Sequence, residues 1–477
     1  MTRTFHAVLL SLAFCAQTAH GAVREFPSPA PADTQESSLH TGPDGTTYLT
    51  YAGPGVAAGE RALWLVTLAP GADAWSAPRP IVSTELLMEN WADFASLTVG
   101  TDGQLWAQWF QKPEGEDAHG YDGWFSRSRD GGATWSKPDH LGHEFVSLAP
   151  LSGGRLLAVW LEGARVRDPA RSASRRSLGE GGAQPAKDPN APYAPAMRLK
   201  SRLLASDGAT LQDWVVDPDV CTCCQTTLAH LGGDRLVVAY RGHTREEIRD
   251  NRICFFNQTI WGPPRPLHDD GWKIPACPVN GPAADARGES LAIAWFTAAN
   301  GIARVQAKVS RDGGVTFGPA LAIDLGRPIG RVDLVKLADN SSLVSWLEAK
   351  SQGNDAGLYV RRIFPDGTLS APQLVAATSS VRASGFARMA ARRDGDGLTA
   401  LISWTDAVPK DASNPKSPAA TQIHTALINA AALKPAPAPS ASATTPRPLA
   451  VVRGDELALL EICEPTAPTH PSVNDSP

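Results

Sequence analysis

The chain is poor in charge and in several side chains that would place it in other classes. Of 477 residues only 4 are Met, 6 are Tyr and 7 are Cys, and 19% are charged. A net charge of −5 offers no electrostatic footprint for nucleic acid. No polybasic segment argues for attachment to a membrane surface. What is present is Gly (42), Pro (39) and Trp (14), with 43% hydrophobic residues. That composition supports a large core threaded by many turns, and points to an all-β protein.

The first 21 residues have the form of a secretory signal. Arg3 supplies the charged start, Val8 to Ala16 the apolar stretch, and Ala19-His20-Gly21 the small residues a signal peptidase needs. The segment is too short to span a bilayer with its own flanks. Leu12-Ala-Phe-Cys15 fits a lipoprotein cut poorly, because bulky Phe14 stands where a small residue is wanted. The mature chain is expected to start near Ala22, in the periplasm or medium, as a monomer without a membrane span.

From there the sequence repeats. An apolar strand ending in an aromatic recurs at Tyr51, Trp109, Trp160, Tyr240, Trp295, Trp346 and Trp404. The spacing is roughly 50 to 60 residues with one gap of about 80, the period of a four-stranded propeller blade. The long gap holds an Arg/Ser/Gly/Pro-rich insertion at 167–195, expected to be disordered. A second marker, aromatic-x-x-Pro, suits an outer edge strand: Trp75 to Pro78, Trp135 to Pro138 and Trp261 to Pro264. The seventh unit lacks its own copy, and Phe26-Pro-Ser-Pro29 at the mature N-terminus would supply it. The sequence therefore predicts a β-propeller over 22–430, seven blades being favoured over six. They lie near 38–82, 93–142, 144–218, 221–268, 272–324, 329–376 and 382–428, the last completed by 23–29. A Pro/Ala linker at 431–448 and a polar tail at 449–477 follow.

Ser128-Arg-Asp130-Gly-Gly132-Ala-Thr134-Trp135 returns as Ser310-Arg-Asp312-Gly-Gly314-Val-Thr316-Phe317. Asp and Gly supply turn chemistry, and Ser and Thr cap loose backbone groups. This Ser-x-Asp-x-Gly-x-Thr-aromatic pattern resembles the Asp-box (BNR) motif of the sialidase superfamily of β-propellers. Sialidase catalytic domains have six blades, so seven is a departure. Cys221-Thr-Cys223-Cys224-Gln225 and Cys277-Pro-Val-Asn280-Gly281 resemble runs found in an exported bacterial subgroup of sialidase-like proteins.

The resemblance implies an exo-sialidase-like glycosidase, or a glycan-binding propeller with carbohydrate as partner and no cofactor. Sialidases clamp a carboxylate with three Arg and use an acid/base Asp and a Tyr nucleophile with a Glu partner. On the face carrying the channel mouth, Arg241, Arg249 and Arg331 are candidates for the clamp and Asp270 or Asp93 for the acid. Tyr240 and Glu246 are candidates for the nucleophile pair, with Glu247, Asp250, Trp272 and Asn280 in support.

The alternative is a binding, metal or redox scaffold. Aligning Tyr240 with Trp295 sets Cys277 opposite Thr222, so Cys221, Cys223, Cys224 and Cys277 should meet at the channel mouth. Three readings stay open: a disulfide from Cys277 to the 221–224 run, a copper or zinc thiolate site, or a redox-active vicinal pair.

Overall fold

The computed structural model describes residues 21–113, 121–163, 195, 197–350, 353–409 and 419–437. The signal-like segment, most of the 167–195 insertion and the tail lie outside them. Seven antiparallel sheets form, six of them four-stranded and one, blade four, with its outer strand in two short pieces. Blade one runs Gln35–Thr41, Thr47–Pro54, Arg61–Leu68, Arg79–Thr84, and every blade from one to six repeats that meander. Blade seven is built from Arg388–Ala391, Thr399–Pro409 and Ala419–Asn429, and its fourth strand is Val23–Phe26 from the other end of the chain. The ring is a propeller of seven blades closed by the N-terminal strand.

Each of the seven spaced aromatics lies on the second strand of its own blade, and all seven are buried. The repeat exists because each blade must fill the gap to its neighbour. The apolar clusters accordingly mix residues of adjacent blades, as where Trp272, Ala294 and Phe296 pack with Val332, Leu334 and Trp346.

The first strand of each blade is an inner edge whose backbone N–H groups face the channel and need acceptors. Three carboxylates supply them from the preceding blade. Asp93 accepts from Phe145 N at 2.9 Å, Asp285 from Lys336 N at 2.7 Å, and Asp333 from Met389 N at 2.6 Å. Burial raises the pKa of all three, that of Asp285 to about 6. A lumen of about 1070 Å³ runs inside this belt. At one end it is closed by side chains from different blades. Trp91 stacks on Phe386 at 6.2 Å, Phe94 lies 6.0 Å from Phe386, and Gln225 Nε2 donates across the axis to Ala92 O.

The two Ser-x-Asp-x-Gly-x-Thr turns connect third to fourth strands at the opposite end. They share one hydrogen-bond pattern. Thr134 N and Oγ1 donate to Asp130 at 2.9 and 2.6 Å, Thr316 N and Oγ1 to Asp312 likewise, and Gly132 N and Gly314 N donate to the serine hydroxyls at 2.8 Å. Asp130→Ala and Asp312→Ala are each expected to lower the melting temperature by scanning calorimetry. Alkylation of Cys277 at the far end should be unchanged in both.

One boundary differs from expectation. The start of the Pro/Ala stretch is not free of the ring: Ala430–Ala432 forms a 3₁₀ turn, Arg362 Nη1 donates to Ala430 O at 2.5 Å, and Pro435 bridges Ser370. Backbone groups of the blade-six turn take up this segment as an added edge.

Candidate functional site at the closed end of the channel

Three loops meet at the closed end. Residues 221–226 lead into blade four, 242–250 join its second and third strands, and 267–282 lead into blade five. They are irregular, with only a few backbone bonds between them such as Arg249 N to Trp272 O and Ile274 N to Glu247 O, and arginine side chains satisfy carbonyls that these leave over. Arg241, 2% exposed, donates through Nε and Nη2 to Asn280 O (3.1 and 2.7 Å), through Nη1 to Arg249 O (2.7 Å) and through Nη2 to Phe296 O (2.8 Å). Its guanidinium also lies 4.9 Å from the Trp272 ring. Arg331, 1% exposed, donates to Val381 O, Gly385 O and Ser380 O and lies 4.8 Å from the Trp91 ring. Burial and the Arg382 charge pull its pKa down to about 9. Arg249 donates to Ile274 O at 2.9 Å, Glu247 Oε2 at 2.9 Å and Cys221 Sγ at 3.2 Å.

The proposed clamp is thus a set of guanidinium groups holding loops together. The other candidates are similarly engaged. Tyr240 is buried with its hydroxyl on Asp217 Oδ2 at 2.7 Å and 3.4 Å from Cys254 Sγ. Asp270 accepts from Trp295 Nε1 (2.8 Å) and Gln306 Nε2 (3.2 Å), and burial raises its pKa. Asp250 caps Gly271 N and Trp272 N, Trp272 is core, and Glu246 points to solvent. Glu247 and Asp219 flank His243, at 3.1 Å from Nε2 and 2.9 Å from Nδ1.

The four cysteines do meet. Cys221 Sγ lies 3.7 Å from Cys224 Sγ and 3.9 Å from Cys223 Sγ, and the three sulfurs all lie within 4.8 Å of one another. The Cys277 Sγ lies 3.5 Å from Thr222 Oγ1, the residue set opposite it by alignment and placed between Cys221 and Cys223. The expected bridge from Cys277 is absent: all five cysteines of the described residues are free thiols. A disulfide needs sulfurs at about 2.05 Å, and these thiols stand at hydrogen-bonding separation instead.

The loops are locked by the residues that follow each cysteine run. Gln225 Oε1 accepts from Gly281 N at 2.9 Å, and Asn280 Oδ1 accepts from Arg331 N at 2.7 Å. A Cβ on Gly281 would stand 2.2 Å from Gln225 O, and one on Gly330 2.3 Å from Asn280 Oδ1. Only glycine permits either approach.

The thiols divide by protonation. Burial opposes ionisation of Cys221, but hydrogen bonds from Cys223 and Cys224 and the charges of Arg249 and Arg241 bring its pKa well below that of an ordinary thiol. The hydrogen bond from Cys223, against burial and with help from Thr222, pulls Cys277 down to about 6. Hydrogen bonds to Cys221, Cys224 and Cys277 push Cys223 up, and burial pushes Cys224 up to about 12. Cys277 is exposed. Its iodoacetamide rate in the reduced protein is therefore expected to follow a midpoint near pH 6, below the ordinary value of about 8.5. A midpoint above 8 would contradict the Cys223 and Thr222 hydrogen bonds.

Two residues near this face were missed by sequence reasoning. Tyr121 donates to Asp93 Oδ2 at 3.0 Å, and the pKa of Glu144 is raised to about 7 by burial and then by Cys277. Neither sits in a repeated motif, and no spacing rule would have found them.

No family model matches the chain, and no curated protein matches it. Solved structures align with it along most of its length. A protein of unknown function from Dyadobacter fermentans is 14% identical, covering 86% of this chain and 99% of that one, with a TM-score of 0.43. A point mutant of NanB sialidase from Streptococcus pneumoniae is 10% identical over 86% of this chain and 95% of that one, TM-score 0.43. A point mutant of the α-L-arabinofuranosidase arb93a from Fusarium graminearum is 12% identical over 87% and 99%, TM-score 0.44. Likeness at this level assigns no activity.

Proposed function

We propose that this protein is an exported propeller that binds a soft metal ion of the Cu(I) class through Cys221, Cys223 and Cys224. One observation carries the reading: three sulfurs stand in a preformed triangle around a point a metal could occupy. An ion with bonds of about 2.3 Å to three sulfurs in a plane sets those sulfurs about 4.0 Å apart. The two closest separations are 3.7 and 3.9 Å. Thiolates select soft ions, and zinc in structural sites takes four ligands where this trio offers three. Three thiolates around a monovalent ion carry a net charge of −2, which Arg249 at 3.2 Å and Arg241 beyond it offset. His243, Glu247 and Arg249 then form the outer shell that orients Cys221. Reduced protein titrated anaerobically with Cu(I) is expected to bind about one ion per chain with thiolate-to-copper charge-transfer absorbance, and Cys221→Ser to bind none tightly. Wild-type protein that takes up no Cu(I) against a bicinchoninate competitor would end this reading.

A second reading, glycoside hydrolysis or glycan binding, is favoured by the Asp93–Tyr121 pair and by Glu144 with its pKa near 7, the value a general acid needs. Hydrolysis of fluorogenic sialosides or arabinosides, abolished by Glu144→Gln, would support it. An inactive wild type on both substrate classes would remove it.

A further inference from the structure

The four sulfurs differ in access in a way the metal-binding reading alone leaves unexplained. Cys221 and Cys224 are buried, Cys223 is intermediate and Cys277 is exposed. Contact follows the same order. Cys277 joins the group through Thr222 Oγ1, 3.5 Å from its Sγ and next to Cys223 in the chain, Cys223 lies 3.9 Å from Cys221, and Cys221 lies 3.7 Å from Cys224. The inner trio belongs to the loop entering blade four, and Cys277 to the loop entering blade five. Two independent locks hold the second loop over the first. One is the Gln225–Gly281 hydrogen bond at 2.9 Å, and the other is Asn280, which takes Arg241 on its carbonyl and Arg331 N on its side chain. Such a fixture is more than a three-ligand site needs, and it holds an exposed thiol permanently at the entrance.

We infer that Cys277 is the loading ligand of the site, and that the protein takes its metal from a Cu(I)–thiolate complex by ligand exchange. The inference rests on the trio as the resting site. In the first step the sulfur of Cys277 bonds to copper as one bond from copper to the donor thiolate breaks. Cys277 enters as its thiolate, and the donor leaves as a thiolate that takes up a proton from water. In the second, bonds form from copper to Cys223 and then to Cys221 and Cys224 as the bonds to Cys277 and to the last donor sulfur break; Cys223 and Cys224 release their protons to water, and Cys277 leaves as its thiolate. Copper stays monovalent throughout, so no oxidant or reductant enters. Thr222 Oγ1, 3.5 Å from Cys277 Sγ, holds that sulfur toward the trio when it carries no ion. The substrate class follows from exposure. A thiolate-bound ion delivered by a small thiol or by a cysteine of another protein can reach Cys277 from solvent, whereas Cys221 and Cys224 are buried and Cys223 is only partly exposed.

The test is stopped-flow loading of the full reduced chain with Cu(I)–glutathione, alongside equilibrium competition against bicinchoninate. Cys277→Ser is expected to keep the wild-type stoichiometry, equilibrium affinity and melting temperature. Its loading should slow by about tenfold or more, the scale on which one supporting group matters at a metal site. Loading of Cys277→Ser at the wild-type rate overturns the inference and leaves the trio intact as a site. Loss of equilibrium affinity in Cys277→Ser as large as in Cys221→Ser also overturns it, by making Cys277 a permanent fourth ligand. Wild-type protein that never loads removes the metal reading itself, a result distinct from both.

Discussion

Removal of Val23 to Pro29 is expected to lower the melting temperature by roughly 10 °C or more and to cause aggregation on heating. The deleted strand makes four ladder pairings with blade seven, from Val23 with Ile428 to Phe26 with Thr425. Thr425 Oγ1 also donates to Phe26 O at 2.7 Å. The Phe26 ring is 2% exposed and meets Trp75 of blade one edge-on at 6.1 Å, so it seals the junction between the last blade and the first. Phe26→Ala alone should cost about 3–5 kcal/mol as a core Phe truncation. The full deletion adds an exposed strand edge at Ala419–Asn429. Calorimetry and light scattering read both effects, and an unchanged melting curve would mean that the ring closes by other means.

Arg241→Met is expected to destabilise the fold by about 3 kcal/mol or more. It would leave the carbonyls of Asn280, Arg249 and Phe296 without their donor, at about 1–3 kcal/mol for each buried group left unpaired. An arginine kept for a ligand would behave in the opposite way, with ligand binding lost and stability unchanged or improved. Urea denaturation decides between them. Glu246→Ala, at an exposed position of the same loop, is the control and should melt as wild type does.

The blade count and the site were unequally readable. Tyr51, Trp109, Trp160, Tyr240, Trp295, Trp346 and Trp404 announce the fold because interblade packing demands one large side chain at the same place in each repeat. Phe26 announces the closure because an outer strand was missing at one end and spare at the other. The meeting of Cys277 with Thr222 followed from blade alignment alone. The role of the arginines was not legible, because a loop rich in Arg looks the same whether its guanidinium groups face a ligand or a carbonyl. The number of unpaired carbonyls in 242–250 and 267–282 is a property of loop shape, which composition does not carry. The bonding state of the cysteines was hidden for a similar reason: a few ångströms separate a thiol pair from a disulfide. Cys221 and Cys224 stand at Cys-x-x-Cys spacing, a metal signal that the intervening Cys223 obscures.

The Trp91, Phe94 and Phe386 rings, with Gln225 reaching Ala92, pack together at one end of the axis. The roughly 1070 Å³ lumen is lined there by Ala92, Phe94, Gln225 and Phe386 and by none of the four clustered cysteines. The lumen and the sulfur cluster are therefore separate places for a ligand. A solute lodged in the lumen and an ion held by the sulfurs would occupy the molecule independently, without competing for the same side chains.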